Sequence, residues 1–250
     1  MSGHSKWSKI KRKKGANDAR QSKVFSKMVK EIQVAVKQGG PDPEGNPRLR
    51  LAVQNAKGVN MPKDNIDRAI NKASGADDAT YHEVTYEGYA AAGVAVYVEC
   101  TTDNINRTVA NVRSYFNKFH GSFSTSGSLD FIFDSKGVFS FPIEEHDEDE
   151  LMLELIDAGA EDVEVEDGEV TVYCAREDFG SMQKKLEALQ IEPSEAGLKR
   201  LPKVHKKVDP ENFRKVMRLI EVLEDDDDVK EVYHNVEMSD ELMAAYEDQD

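Results

Sequence analysis

The 250-residue chain has little cysteine, a single tryptophan and no long hydrophobic run. Its two cysteines, Cys100 and Cys174, are too few for a metal cluster and, at 74 positions apart, cannot form a CxxC redox site. Each ends a strand-like apolar run, so we expect two buried thiols in a reducing compartment. No apolar run approaches the roughly 20 residues that span a membrane, and the first residues lack the apolar core of a secretory signal. These absences predict a cytoplasmic protein without a membrane partner.

Catalytic signatures are also absent from the sequence. It contains no GxGxxG or GxxxxGK[ST] phosphate loop, no GxSxG nucleophile elbow and no HExxH zinc motif. The histidines are scattered, and none has the i, i+4 spacing of helical metal ligands. The sequence therefore predicts a protein that is not an enzyme and that uses no cofactor or metal.

Charge is abundant and unevenly distributed. The whole chain carries −15, yet residues 1–30 hold ten Lys/Arg and one acid, Asp18. Residues 1–75 have 17 basic and 6 acidic residues, a net of +11, which leaves −26 for the remainder. A polyanion responds to the surface that it touches, so this local excess matters more than the overall pI of about 4.9. We therefore expect a nucleic-acid-binding N-terminal module on an acidic body.

The basic residues form a tail and one face of a helix. At 100° per residue, the cations of the first predicted helix lie opposite a cluster of apolar residues, namely Phe25, Met28, Val29, Ile32 and Val36. The nearby acids, Asp18 and Glu31, are too few to neutralise this face by local ion pairs. A solvated helix face has the same pattern, but the adjoining tail favours phosphate binding. The predicted nucleic-acid-binding residues are Lys6, Trp7, Lys9, Lys11, Arg12, Lys13, Lys14, Arg20, Lys23, Lys27, Lys30 and Lys63.

Trp7, the only tryptophan, has two interpretations. It can stack on an unpaired base, as aromatic side chains do in the recognition of single-stranded RNA and DNA. It can equally anchor the tail against the helices through hydrophobic contact. The surrounding segment, residues 1–19, has too few apolar residues to pack, and we expect it to be disordered until it binds.

Two acidic runs raise the question of carboxylate chemistry. Residues 143–175 contain fourteen Asp/Glu and no Lys/Arg, and Asp225–Asp228 is a run of four aspartates. Paired carboxylates serve in glycosidases and in Mg²⁺ sites. Both runs fall in predicted loops and solvent faces, without calcium-loop glycines or a companion histidine. We interpret them as solvated surface that repels nucleic acid from the body.

Hydrophobic periodicity predicts an α+β fold, with an N-terminal three-helix bundle followed by two α/β sandwich-type domains. The first helix is expected from Ser22 to the stop at Gly39 and Gly40. Asn46 is the predicted cap of the second helix, which carries Pro47 at its first position. A third helix is expected to start at Pro62.

The next segment changes to a period of two. It predicts antiparallel strands at Glu83–Glu87 and Val94–Cys100, followed by a helix capped by Asp103. The expected buried face of that helix consists of Ile105, Val109, Val112, Phe116 and Phe119. A second strand region is predicted at Gly127–Phe133 and Val138–Phe141.

From Gly137 the predicted order is β-α-β-β-α-β, the ferredoxin-like order, with a type I′ hairpin at Asp167 and Gly168. A last helix from Pro210 and a strand at Val229–Val236 have no local partner, so they are expected to complete the earlier ββα unit. The predicted domains are a basic tail plus helical domain at 1–76, a discontinuous α+β middle domain at 77–135 and 205–240, an inserted ferredoxin-like acidic domain at 136–204, and an acidic C-terminal tail at 241–250.

Several strings resemble the signature of the YebC/PmpR family. The resemblance covers essentially the whole chain, and its long first block is highly specific. The acidic tail that ends at Asp250 departs from the family pattern. The matching strings are Gly3-His4-Ser5-Lys6-Trp7, Gly39-Gly40-Pro41-Asp42-Pro43, Asn60-Met61-Pro62-Lys63, Tyr86-Glu87-Gly88-Tyr89, Thr101-Thr102-Asp103-Asn104 and Asn106-Arg107-Thr108.

The resemblance implies a cytoplasmic three-domain α+β protein, in a group widely labelled as DNA-binding transcriptional regulators. A mitochondrial relative is known as a translational activator of cytochrome c oxidase, and other members are connected with relief of ribosomes stalled on proline-rich stretches. Two functions therefore stay open: a regulator that binds DNA, and a ribosome-associated translation factor that binds rRNA or tRNA. The family label favours DNA. A flexible basic tail with one aromatic favours irregular RNA, since lysines read base edges poorly.

Overall fold

The computed structural model describes residues 18–75, 80–143 and 146–247, and gives the backbone alone for residues 18–20, 240 and 247. Within these residues the protein is mixed α+β, with N-terminal helices followed by two antiparallel sheet regions, which confirms the predicted fold class. The chain divides into two compact units. The first unit contains the described residues of 1–27, 79–134 and 201–250, and the second those of 28–78 and 135–200.

The elements follow one another as helices, a ββαβ segment, a βαββαβ segment and a final αβα segment. The helices are α1 (Asp18–Gly39), α2 (Pro47–Gly58), α3 (Lys63–Ala73), α4 (Ile105–Lys118), α5 (Glu148–Asp157), α6 (Phe179–Ala188), α7 (Pro210–Asp225) and α8 (Asp240–Glu247). The strands are β1 (His82–Tyr89), β2 (Ala95–Thr102), β3 (Ser122–Phe123), β4 (Phe133–Pro142), β5 (Ala160–Glu166), β6 (Glu169–Ala175), β7 (Glu195–Pro202) and β8 (Val229–His234).

The sheet of the first unit has the strand order β3-β1-β2-β8. β1 and β2 form an antiparallel hairpin, and β8 pairs antiparallel with the other side of β2. The last strand of the chain thus joins a sheet that begins far earlier in the sequence. Helix α7 packs with it, and its six apolar core residues are each at most 1% exposed: Phe213, Val216, Met217, Leu219, Ile220 and Leu223. Each buried side chain of this size contributes about 1.5–3 kcal/mol.

The sheet of the second unit has the order β5-β6-β4-β7, which is the strand order of the ferredoxin-like fold. Its hairpin turn has positive φ at both central residues, 53° at Asp167 and 78° at Gly168, as a type I′ turn requires. Helices α5 and α6 bury Leu151, Leu155, Met182 and Leu186 in one core with the sheet. The predicted β-α-β-β-α-β order is confirmed.

An asparagine joins the first two helices within the second unit. Asn46 caps α2, since its side-chain oxygen accepts from Leu49 N at 3.1 Å. Its amide nitrogen donates to Ala35 O at 2.7 Å and to Gly40 O at 2.9 Å, at the end of α1. The Asn46 cap and the start of α2 at Pro47 are as predicted. α1 starts at Asp18, a turn earlier than the predicted Ser22.

A second asparagine covers the edge strand of the ferredoxin-like sheet. Asn55 of α2 donates to Ala196 O at 2.8 Å and accepts from Ala196 N at 2.9 Å, as a neighbouring strand would. Gly58 lies against the backbone of Ser194, where any Cβ would collide. Because a free edge is a template for unwanted pairing, this contact both holds α2 and protects β7.

The predicted strand at Gly127–Phe133 is wrong over most of its length, since residues 127–132 form turns. The cause is a buried carboxylate. Glu87 is 1% exposed and accepts from Gly127 N at 2.6 Å, Leu129 N at 2.7 Å and the Ser128 hydroxyl at 3.0 Å. Backbone N–H groups that bond to this carboxylate are not available to a strand ladder.

The start of α4 also differs from the prediction. The cap is Asn104 rather than Asp103, since the Asn104 side chain accepts from Arg107 N at 3.1 Å. Ile105, expected in the buried face, is 42% exposed, whereas Thr108 is fully buried. With the cap one residue later than predicted, a different set of side chains in the first turn faces the core.

The predicted acidic C-terminal tail contains a helix. α8 buries Met243 and Tyr246, which are 7% and 6% exposed. Tyr246 packs edge-on against Phe213 of α7, with ring centroids 6.1 Å apart. Because acidic residues dominate this segment, its composition predicts a tail, although its apolar residues form a helix face that packs against α7.

Candidate nucleic-acid interface

The structure describes four of the twelve predicted nucleic-acid-binding residues at side-chain level. Lys23, Lys27 and Lys30 lie on α1, and Lys63 lies in the first turn of α3. Arg20 belongs to α1 by its backbone alone. The others fall outside the described residues: Lys6, Trp7, Lys9, Lys11, Arg12, Lys13 and Lys14.

The lysines of α1 are spaced so that they share one face of the helix. Lys23, Lys27 and Lys30 stand at i, i+4 and i+7, which brings side chains onto one stripe of an α-helix. A stripe of this kind can follow a row of phosphates, because each ammonium group is a compact charge on a flexible stem. The predicted cationic face of the first helix is thus built from a continuous helix.

Within the first unit, two of these lysines contact the C-terminal end of α7. The Lys23 ammonium lies 2.7 Å from Asp225 Oδ1 and 3.2 Å from Asp225 O. Lys27 donates to Glu224 O at 2.7 Å. The last carbonyls of a helix have no intrahelical donors and carry partial negative charge, so cations are favoured there. α7 has no basic residue in its own last turn, and α1 supplies the positive charge instead.

The expectation concerned local ion pairs, and the carboxylate that pairs with Lys23 is not local: Asp225 is 202 positions away. The pair is nevertheless exposed, at 40% for Lys23 and 67% for Asp225. Exposed pairs of this kind contribute about 0–1 kcal/mol, so a phosphate can replace the carboxylate at little cost.

The run Asp225–Asp228 is only partly solvated surface, which corrects the prediction. Asp228 is 4% exposed, and its Oδ2 accepts from Arg107 Nε at 3.1 Å and Arg107 Nη2 at 2.6 Å. The Thr108 hydroxyl donates to the same oxygen at 3.0 Å. The positive charge of Arg107 and the Thr108 hydroxyl, both on helix α4 and distant in sequence, make the burial of this carboxylate tolerable.

Asp226 forms a second set of contacts with α4. Its Oδ2 accepts from Tyr115 OH at 2.9 Å and from Asn111 Nδ2 at 3.2 Å. Burial, with the hydrogen bond to Asp226, raises the pKa of Tyr115 to about 12. Hydrogen bonds to Asp228 and Asp103 raise the pKa of Arg107 above its ordinary value. The aspartate run thus fastens the end of α7 to α4.

These contacts give a structural role to one string that suggested a family. Thr102, Arg107 and Thr108 belong to the motif block at 101–108. Arg107 and Thr108 both bind Asp228, and the Thr108 hydroxyl also donates to that of Thr102 at 2.7 Å. Asn104 of the same block caps α4. Spacing along the chain does not predict this contact, because the block and the aspartates are about 120 positions apart.

Helix α3, which carries Lys63, has charges of both signs on its exposed surface. Asp64 and Asp67 are exposed on the same helix and oppose the charge of its lysines. Arg68 donates to Asp64 O and Asn65 Oδ1, within the helix itself. α1, rather than α3, has the charge pattern of a phosphate-binding helix.

Other chemistries find little support in the described residues. Over 18–75, 80–143 and 146–247 no group of three or more His, Cys, Asp and Glu side chains is arranged to hold a metal ion. Burial raises the pKa of Cys100 to about 12 and that of Cys174 to about 11, so neither is an activated thiol. Within the same residues, no helix has both the length and the hydropathy of a membrane span.

Comparison with known proteins covers nearly the whole chain. Residues 5–76 match the TACO1/YebC protein N-terminal domain, and residues 81–236 match the TACO1/YebC second and third domain. A protein of Amoebophilus asiaticus (strain 5a2), named a probable transcriptional regulatory protein, is 56% identical over 239 residues, which are 94% of this chain and 98% of the relative.

A solved structure shares the fold. The crystal structure of a conserved hypothetical protein from Aquifex aeolicus aligns with a TM-score of 0.80 at 41% identity. The alignment covers 89% of this chain and 93% of the Aquifex chain.

Proposed function

Because the chain belongs to the TACO1/YebC family, we propose that it is a non-enzymatic regulator of gene expression that binds nucleic acid through its basic N-terminal segment. The observation that carries the proposal is the separation of charge, with +11 on residues 1–75 in a chain of −15. The printed name of the Amoebophilus relative supports a transcriptional regulator, and DNA is then the first partner to test. A cytoplasmic location accords with this role.

Binding proceeds in this proposal by exchange of counter-charges. Phosphates replace Asp225 as the partner of Lys23, while the lysines of the tail and of α1 release condensed counterions from the nucleic acid. If tail and helix together contact six to ten phosphates, affinity falls about 10³–10⁵-fold between 50 and 200 mM salt. Phosphate contacts position the protein but do not read sequence.

The first test replaces Lys11, Arg12, Lys13 and Lys14 by alanine. We expect weaker binding to a DNA duplex and a shallower dependence on salt, because each lost phosphate contact lowers the logarithmic salt slope by about 0.9. A matched control removes three lysines and one arginine elsewhere: Lys118, Lys184, Lys215 and Arg218. An unchanged salt slope in the first variant, or an equal loss in the control, would contradict the assignment of the binding surface.

A ribosome-associated translation factor is the second candidate, and the composition of the basic surface favours it. The basic residues of the tail and of α1 are mostly lysines, which bind phosphate without discriminating bases. The tail also contains Trp7, an aromatic residue of the kind that stacks on unpaired bases. Co-sedimentation with ribosomes on a salt gradient separates the candidates. Retention on the ribosome without a promoter footprint supports translation, whereas a footprint without ribosome retention supports transcription.

A further inference from the structure

A second concentration of positive charge lies in the acidic part of the chain. Residues 199–207 hold five of the sixteen Lys/Arg found after residue 75, and no acid. The last five of these residues, Lys203-Val204-His205-Lys206-Lys207, belong to the first unit and are all exposed. We call residues 203–207 the basic strap.

The backbone of the basic strap is fixed. Lys206 N donates to Asn235 O at 2.6 Å, Glu237 N donates to Lys206 O at 2.8 Å, and Lys206 forms a parallel bridge with Val236. Asn235 is 8% exposed, and its side chain donates to Val204 O at 3.2 Å while accepting from Ala95 N at 2.8 Å. The backbone is therefore held against the sheet, and its side chains need little further ordering when they bind a ligand.

An exposed aromatic residue lies beside the basic strap. Lys203 N donates to Ile132 O at 2.8 Å, which brings the neighbouring residues Phe131 and Val204 into the same region of the surface. Each of these two side chains is 69% exposed, the highest value among the large apolar residues of the described chain. Exposed Phe next to lysines is the combination that binds unpaired bases, since the ring stacks on a base and the ammonium groups meet phosphates.

The acids near the basic strap do not block it. Lys203 lies 3.0 Å from Asp134, with side-chain exposures of 42% and 50%. Lys207 lies 3.7 Å from Glu237 and is 84% exposed. The Lys206 side chain has no ion pair among the described residues. Pairs as exposed as these are weak, and a phosphate can compete for both lysines.

We propose that Phe131 and the basic strap form a second contact for a single-stranded nucleic acid, in which Phe131 stacks on a base and Lys203, Lys206 and Lys207 pair with adjacent phosphates. The inference rests on the proposed function, namely that the chain binds nucleic acid. It adds to that function that the bound nucleic acid is single-stranded, because a base in a duplex is already stacked and is not accessible to Phe131.

The test uses the full chain and two fluorescent probes, an oligouridylate of about 20 nucleotides and an RNA duplex of similar length. Phe131→Ala should weaken oligouridylate binding by about 5- to 100-fold and change duplex binding less than about twofold. Phe131→Leu keeps an apolar side chain without the ring and should lose affinity similarly, whereas Phe131→Tyr should retain it. The double variant K206Q/K207Q should lower the logarithmic salt slope for the oligouridylate by about 1.4.

Matched controls are Leu153→Ala, which truncates another apolar residue that is 66% exposed, and the double variant K118Q/K184Q. Oligouridylate binding at wild-type strength by both Phe131→Ala and K206Q/K207Q overturns the inference, as does an equal loss of duplex binding. In that case the proposed function stands if the alanine variant of Lys11 to Lys14 still loses binding. If the wild-type chain binds neither of these probes nor the DNA duplex of the first test, the proposed function fails together with the inference.

Discussion

At the scale of single residues, two buried carboxylates organise the first unit. Glu87 accepts hydrogen bonds from two backbone N–H groups and a hydroxyl of residues 127–129. Asp228 accepts hydrogen bonds from the side chains of Arg107 and Thr108. Each lies among donors that would otherwise lack a buried acceptor. A carboxylate in such a place fixes the path of the chain, because few other arrangements satisfy the same donors.

Replacing Asp228 by alanine should lower the free energy of unfolding by about 2–4 kcal/mol. The variant removes the common acceptor of Arg107 and Thr108, and leaves the buried threonine hydroxyl with fewer acceptors. Arg107 is 47% exposed and can turn toward Asp103 and water, which keeps the loss below that of a fully buried pair. Urea unfolding followed by circular dichroism measures the change.

Asp227→Ala is the control for that experiment, since it removes the same charge from the neighbouring exposed position and should change stability by about 0.5 kcal/mol or less. Equal losses in the two variants would show that net charge, rather than the contact with Arg107, determines the effect.

At the scale of elements, helix α1 has a cationic face whose strength depends on α7. At the C-terminal end of α7, carbonyl oxygens accept hydrogen bonds from Lys23 and Lys27 of α1, and Asp225 forms an ion pair with Lys23. The attraction follows from the helix dipole, because cations are stabilised near a C-terminus by about 0.3–1 kcal/mol at an exposed site. The same two lysines are predicted phosphate ligands, so under the proposed function the end of α7 would compete with nucleic acid for them.

Asp225→Asn should therefore raise nucleic-acid affinity by about two- to tenfold at low salt. The variant removes the carboxylate that pairs with Lys23 but leaves the carbonyl oxygens at the end of α7. Asp227→Asn changes the net charge of the protein equally without touching that pair, and we expect a smaller gain. Fluorescence anisotropy at several salt concentrations makes the comparison, and equal gains in both variants would exclude competition by Asp225.

At the scale of the whole molecule, the sequence predicts the features that depend on neighbouring residues, but not the contacts between residues that are far apart along the chain. The cap at Asn46, the hairpin at Asp167 and Gly168 and the apolar face of α7 depend on residues a few positions apart, and all were predicted. The contacts of Lys23 with Asp225 and of Arg107 with Asp228 join residues 202 and 121 positions apart. Charge patterning shows how many cations a helix has, but not which distant carboxylates fold against them.

Each unit contains one buried cysteine, which allows the units to be observed separately. Cys100 is 2% exposed in the core of the first unit, and Cys174 is fully buried in that of the second. Burial, with nearby carboxylates, raises their pKa values from 9.0 to about 12 and about 11. The folded chain holds each thiol proton more tightly than the unfolded chain does, so this contribution to stability is complete below pH 9 and is lost as pH rises toward 11–12.

Pulse alkylation with N-ethylmaleimide at pH 8, read by mass spectrometry, should find both native thiols about 10²–10³-fold less reactive than a free cysteine. As urea increases, each cysteine should become reactive when its own unit unfolds. Because the contacts of Asp228 with Arg107 and Thr108 lie in the first unit, Asp228→Ala should move the labelling midpoint of Cys100 to lower urea and leave that of Cys174 in place. If both midpoints move together, the two cores unfold as one cooperative structure, and the contact at Asp228 stabilises the whole chain.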